Sequence, residues 1–186
     1  MKGHKRVIPY VMALGLVVAG SMLITPAARA EATFASSQEI NQLLVQVKTE
    51  ANALENDTDL LAKWAGSKQL SWHSHVTKLD EIKRHINEAG QLLAKLNDAR
   101  ATASPWQQQA IARIHPLLRQ LADNTETTIN HVNDNQAHIQ FSAYQDYAQA
   151  GSDLAEELAA LINNYVDFSE HEAELLRLEQ QLSTAS

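Results

Sequence analysis

The stretch SWHSHVTKLDEIKRHIN, residues 71 to 87, is rich in side chains able to bind a metal or move a proton, with three histidines among hydroxyl and acidic neighbours. Imidazole is both a common metal ligand and a general base near neutrality. The chemistry therefore depends on whether His73, His75 and His85 converge. On one helix they do not. At 100° per residue His73 and His75 point about 200° apart, and His85 lies about 80° from His75 and roughly three turns away. His73 is expected to face solvent. His85 has Glu81 at i−4 and Glu88 at i+3, the spacing of an exposed ion pair or hydrogen bond. A zinc site built on it would need ligands from another helix.

His131, Asp134 and His138 share one helical face, but the two histidines are about 10.5 Å apart along the axis. No single metal with bonds of about 2.0–2.1 Å spans that distance. His131 with Asp134, or Asp134 with His138, supplies two ligands at most. Neither pair forms the paired Glu and Glu-x-x-His pattern of a di-iron bundle. His171 with Glu174 reads as a solvated face. Enzyme signatures are absent from the sequence: it has no His-Glu-x-x-His, no glycine-rich phosphate loop and no serine elbow. Asn56-Asp57-Thr58 fits a glycosylation sequon but falls on a helix seam.

The chain has no cysteine, which rules out disulfides, thiol catalysis and c-type haem attachment. Its three methionines, Met1, Met12 and Met22, all lie in the first 30 residues. That segment has a basic start (Lys2, His4, Lys5, Arg6), an apolar run from Val7 to Ile24, and the small-x-small ending Ala28-Arg29-Ala30 after Pro26. These features predict a signal peptide, residues 1–30, cleaved before Glu31. An uncleaved anchor is the alternative, since an 18-residue run is near the lower limit for spanning a bilayer. No lipobox cysteine is present. The expected mature chain, residues 31–186, is one domain, exported to the periplasm or the extracellular space, with no stable membrane insertion after cleavage.

The leader holds four of the 15 basic residues and none of the 22 acidic ones, so 11 remain against 22, a formal −11. A strongly acidic chain is a poor ligand for nucleic acid or anionic lipid. Nucleic acid is therefore not an expected partner.

The elements that must position these side chains are helices. Beyond the leader, glycine occurs only at Gly66, Gly90 and Gly151, and proline only at Pro105 and Pro116. Ala, Leu, Gln and Glu dominate, and no strand pattern competes. Four apolar seams with alternating three- and four-residue spacing follow. The first helix is expected to start at Ser36, with Glu39 closing a capping box, and to run along Ile40, Leu44, Val47, Ala51, Leu54, Thr58, Leu61 and Ala65 to Gly66. The second starts near Ser71 and carries Trp72, His75, Leu79, Ile82, Ile86, Ala89, Leu93 and Leu96.

Ser104-Pro105-Trp106-Gln107 is a hydroxyl cap, a first-turn proline and a capping glutamine in order. It opens a third helix with Ile111, Ile114, Leu118, Leu121, Thr125, Thr128, Val132, Asn135 and Ile139, bent at Pro116. Ser142 with Gln145 caps the fourth. Its expected seam is Tyr147, Gly151, Leu154, Leu158, Leu161, Tyr165, Phe168, Glu172, Leu175, Glu179 and Leu182, and its late acidic positions imply that the last turns outrun the core. The fold class is all-α: an antiparallel up-down-up-down four-helix bundle with heptad-like seams.

The segments SWHSHVTKLDEIKRHINEAGQLLAKL, SPWQQQAIARIHPLLRQLADNTETTINHVNDNQ and YVDF resemble a group of uncharacterised secreted all-helical bacterial proteins. The resemblance covers most of residues 31–186. It implies location and fold, and it carries no activity or catalytic residues.

Folding the second and third helices about residue 101, then the third and fourth about 141, brings His75, Thr128, His131 and Gly151 to one level, with Trp64 and Trp72 near the same end. That layer could hold water, a small ligand or a metal, because the glycine removes a side chain from the seam. The favoured reading of His75 is a structural core histidine, neutral and satisfied by Thr128 or water. The reading favoured by the sequence is a non-enzymatic exported bundle of the bacterial envelope that binds or scaffolds a protein partner, with no cofactor, metal or catalytic residue. The alternative is a metal- or small-ligand-binding bundle that uses the His75 layer.

Overall fold

The structure, a computed structural model, describes residues 26–67, 70–136 and 142–184, with side chains from residue 38 onward. Four helices follow one another: α1 (Pro26–Ala65), α2 (Trp72–Asp98), α3 (Pro105–Asp134) and α4 (Ser142–Thr184), with a 3-10 turn at Ala99–Thr102. Each helix packs on its sequence neighbours, and α1 packs on α4 to close the ring. Polar pairs set the antiparallel registers. Asp57 meets Lys78 and Glu50 meets His85 across α1 and α2. Lys48 meets Asp167 and Asn52 meets Asn163 across α1 and α4. The result is the expected all-α, up-down-up-down bundle.

The caps came out unevenly. At the start of α3 the capping box is complete: Ser104 Oγ accepts from the Gln107 backbone N–H at 3.5 Å, and Gln107 Oε1 accepts from the Ser104 N–H at 2.8 Å. Pro105 occupies the first turn, where its missing N–H is not needed. Gln107 Nε2 reaches Asn41 Oδ1 on α1 at 2.8 Å, which ties that cap into the bundle. Ser71 precedes α2 with extended backbone, but its hydroxyl lies 3.3 Å from that of Ser74 and makes no cap bond to the backbone. The start expected at Ser36 is not one. α1 begins at Pro26 and is unbroken through Ser36, because Ala-rich sequence propagates a helix and a proline is tolerated in its first turn. α3 likewise passes through Pro116 without interruption.

The first seam is buried at all eight expected positions, Ile40 through Ala65. The second is buried from His75 to Leu96, with Trp72 half-buried at its edge. The third is buried from Ile111 to Val132; Asn135 is partly exposed and Ile139 lies outside the described residues. The fourth differs. Its core face is Tyr144, Ala148, Gly151, Ala155, Leu158, Ala159, Ile162, Val166 and Ser169, and only Gly151 and Leu158 belong to the expected seam. Leu154, Leu161 and Tyr165 pack at the rim, while Phe168 is exposed. The small residues turn inward because α4 serves both α1 and α3. A strip of Ala and Gly lets the backbone approach closely, while larger side chains cover the edges.

Helix lengths are unequal. α1 exceeds α2 by 13 residues (40 against 27), and α4 exceeds α3 by the same margin (43 against 30). The excess lies at one pole, where α1 begins and α4 ends. It amounts to about 20 Å at 1.5 Å per residue. From Glu170 to Thr184 every residue of α4 is exposed. Among the described residues no helix is long and apolar enough to cross a membrane.

Candidate functional site

At the opposite pole every helix contributes to a ring knot: half-buried Trp64 from the last turn of α1, His75 from α2, half-buried His131 from the end of α3 and Tyr144 from the start of α4. His75 Nδ1 lies 2.7 Å from the Tyr144 hydroxyl, with the rings nearly perpendicular. Trp64 meets His75 edge to face at 6.2 Å. His131 stacks parallel to Tyr144 at 6.3 Å and meets Tyr147 at 65°. His75 and Tyr144 are fully enclosed, at 1% and 0% exposure.

The expected layer is thus split. His75 and His131 gather around Tyr144, which lies outside the expected fourth seam. Thr128 and Gly151 instead line a separate cavity with Thr58, Leu61, Leu79 and Asn124. Its volume is about 10 Å³, at the lower limit for a single water. Thr128 Oγ1 donates to the Asn124 carbonyl at 2.8 Å and is not the partner of His75. The cause is the rotation of α4. It turns Tyr144 inward, and the phenol takes the hydrogen-bonding place next to His75 that was expected for Thr128 or water.

Burial shifts both members of this pair toward their neutral forms. It pushes the His75 imidazole below its ordinary value and the Tyr144 phenol above its own. A neutral imidazole accepts at Nδ1 from the phenol and carries its proton on Nε2, an assignment that gives the tyrosine proton a destination. Nε2 of His75 and Nε2 of His131 are buried without a hydrogen-bond partner. The His75–Tyr144 pair is held neutral, and with the rings around it is suited to fixing the pole of the bundle.

The α1–α2 face is its polar counterpart. Lys78 bridges Asp57 Oδ1 at 2.9 Å and Glu81 Oε2. Burial alone would lower the Lys78 ammonium, but the hydrogen bonds and charges of Glu81 and Asp57 outweigh it and raise it. Glu81 is held low by its bond to Lys78. Lys78 is the cation beside Glu81, the role the sequence suggested for His85, while His85 Nδ1 lies 2.7 Å from Glu50 Oε2 on α1. Arg84 binds Glu88 at 3.2 Å, and that bond lowers the Glu88 carboxyl.

Glu50, His85 and Glu88 each offer a ligand atom, and these atoms lie within 4.8 Å of one another. Among the described residues this is the one set of three or more such side chains in mutual reach. The missing signal was inter-helical. A turn centred near residue 68 places residue 85 level with about residue 51 of α1, so the register supplies the second-helix ligand that the spacing within α2 lacked.

Among the described residues the other histidines stay apart. His73 is exposed, with its ring 3.8 Å from that of Trp72. His171 Nδ1 lies 2.6 Å from the Asp167 carbonyl, and Glu174 pairs with Arg177 at 2.6 Å, all of them exposed. His138 lies outside the described residues.

Two surface features remain. An open groove of about 860 Å³ runs between α2 and α3 over Gly90, Ala94 and Ala122, with His115 and Arg119 on its wall. On the protruding part of α4, Leu175, Leu176 and Leu178 are 63%, 45% and 41% exposed, and Phe168 at its base is 50% exposed. Compared with protein families, curated proteins and solved structures, the chain matches none of them.

Proposed function

We propose that this is a non-enzymatic, exported bundle protein that binds a helical partner through the protruding end of α4, as a secreted all-helical protein of the bacterial envelope. The observation that carries the reading is the exposed row Phe168, Leu175 and Leu178. These positions are spaced seven and three residues apart, so they lie along one helix face, the pattern by which one helix docks on another. Glu172 and Glu179 interleave the row on the same face and Glu174 flanks it, while Arg177, the one lysine or arginine in this stretch, is already paired with Glu174. Acidic flanks repel a second copy of the same surface and favour a partner helix with lysine or arginine beside its apolar stripe. Trp106 supports the base of this arm: its Nε1 donates to Glu172 at 3.0 Å, and its ring packs on Tyr165 and Phe168.

Fluorescence anisotropy tests the proposal with two labelled synthetic helices that carry leucine at the seam and either lysine or glutamate on the flanks. The lysine helix should bind residues 31–186, and the glutamate helix should not. Leu175→Glu with Leu178→Glu should abolish binding. Deletion of residues 174–186 should do the same while leaving the melting transition in place, because among the described residues no core side chain lies beyond Ser169. Equal binding of both helices, or binding that survives the deletion, would sink the proposal. Sedimentation showing a dimer that depends on Leu175 would replace the partner with a second copy.

A further inference from the structure

The Glu50–His85–Glu88 cluster belongs neither to the core nor to the α4 arm. His85 and Glu50 side chains are 16% and 18% exposed, so both sit mostly between the helices, while Glu88 is 42% exposed and opens to solvent. As it stands, the guanidinium of Arg84 donates to His85 Nε2 at 2.9 Å, which leaves the ring proton on Nδ1, aimed at Glu50. One ring proton and one guanidinium thus satisfy two carboxylates. Four carboxylates occupy this face (Glu50, Asp57, Glu81 and Glu88) against two fixed cations, Lys78 and Arg84.

We propose that Glu50, His85 and Glu88 bind a first-row divalent cation such as zinc, with Asp57 orienting the imidazole. A metal that replaces the Nδ1 proton meets one nitrogen and two carboxylate oxygens. Bonds of about 2.0–2.1 Å in tetrahedral geometry need ligand atoms about 3.3 Å apart. The present separations start at 2.7 Å and stay within 4.8 Å, so rotation of the two glutamates about their own bonds reaches that arrangement.

The second support is Asp57. Its Oδ2 lies 3.7 Å from His85 Nε2, on the side of the ring away from Glu50. When Nδ1 takes the metal the ring proton belongs on Nε2, and a carboxylate there is the usual partner that fixes a ligating histidine. Lys78 holds Asp57 in place through its other oxygen. Arg84 is 55% exposed, so metal binding would exchange its bonds to His85 and Glu88 for bonds to water. Imidazole with two carboxylates favours zinc or manganese over calcium or magnesium, which prefer all-oxygen shells. The fourth position faces solvent beside Glu88 and would take water.

Calorimetric titration of zinc chloride into chelator-stripped protein should show one site per chain. Glu50→Gln and Glu88→Gln should each weaken binding at least tenfold, and His85→Gln should remove it. Asp57→Asn should weaken it by about tenfold or more, whereas His73→Gln should change nothing. Arg84→Gln should tighten binding, because it removes the cation that competes for Glu88. Circular dichroism checks that each variant remains helical. A measurement on unaltered protein needs no variant: zinc should shift the His85 Nδ1 resonance in a long-range nitrogen–proton spectrum. Absence of one-to-one binding, binding that survives His85→Gln, or a spectrum in which only other histidines move would overturn the site.

Discussion

His75 links folding to pH because its burial lowers its proton affinity below the ordinary 6.5. Above that value the imidazole is neutral in both states and the knot keeps its full stability. As pH falls through 6.5 the unfolded chain takes up a proton that the folded chain refuses, so stability declines until the lower folded value is passed. The rings facing His75 are the Tyr144 phenol and the Trp64 indole, and neither offers a negative charge to rescue an imidazolium. His75→Gln retains an acceptor for Tyr144 without the titration. Urea melts at pH 7.5 and pH 5.5 should show the wild type losing more stability than the variant, with a difference in slope of up to about 1.4 kcal/mol per pH unit inside the window. Equal losses would mean that His75 does not carry the effect. The placement of His75 inside the bundle was legible from its seam spacing. Its partner was not, because Tyr144 declares itself only once the rotation of α4 is known.

The seams themselves were legible at the scale of the helix wherever large and polar residues alternate. Leu79 and Leu121 are buried at 2% and 0% exposure, and each should cost about 2–5 kcal/mol when cut to alanine. Asp80→Ala, beside Leu79 but on the exposed face, should stay within about 0.5 kcal/mol. Urea denaturation of the three variants distinguishes core from surface, and three equal shifts would contradict the packing. The fourth seam differs from the expected one because apolar residues occur on two faces of α4, and its large side chains lie on the rim. What settles its rotation is the tight fit of Ala148, Gly151, Ala155 and Ala159 against neighbouring helices, a property of pairs that a single helix does not display. The metal cluster hid for the same reason. His85 and Glu88 are three residues apart on α2, yet Glu50 joins them only across the α1–α2 register.

At the scale of the molecule the two poles differ. One is closed by the ring knot at the α1–α2 and α3–α4 connections, and at the other the long helices α1 and α4 run on past the rest. Since α1 and α4 are antiparallel neighbours, the direction of an applied force decides how the bundle yields. Tension between the α1 and α4 ends at the open pole acts across the helix axes and peels the contact layers apart in sequence. Tension along the axes must break every layer at once.

The chain has no native cysteine, so thiol handles can be placed at will. Optical tweezers attached through Gln38→Cys and Glu170→Cys would pull in the first geometry, and through Gly66→Cys and Glu170→Cys in the second. The first pair should open at lower force and in steps, with the Lys48–Asp167 layer yielding before the Asn52–Asn163 layer; equal rupture forces would contradict this register. A partner that grips the α4 arm and pulls it away from α1 would therefore load the bundle in its mechanically weakest direction.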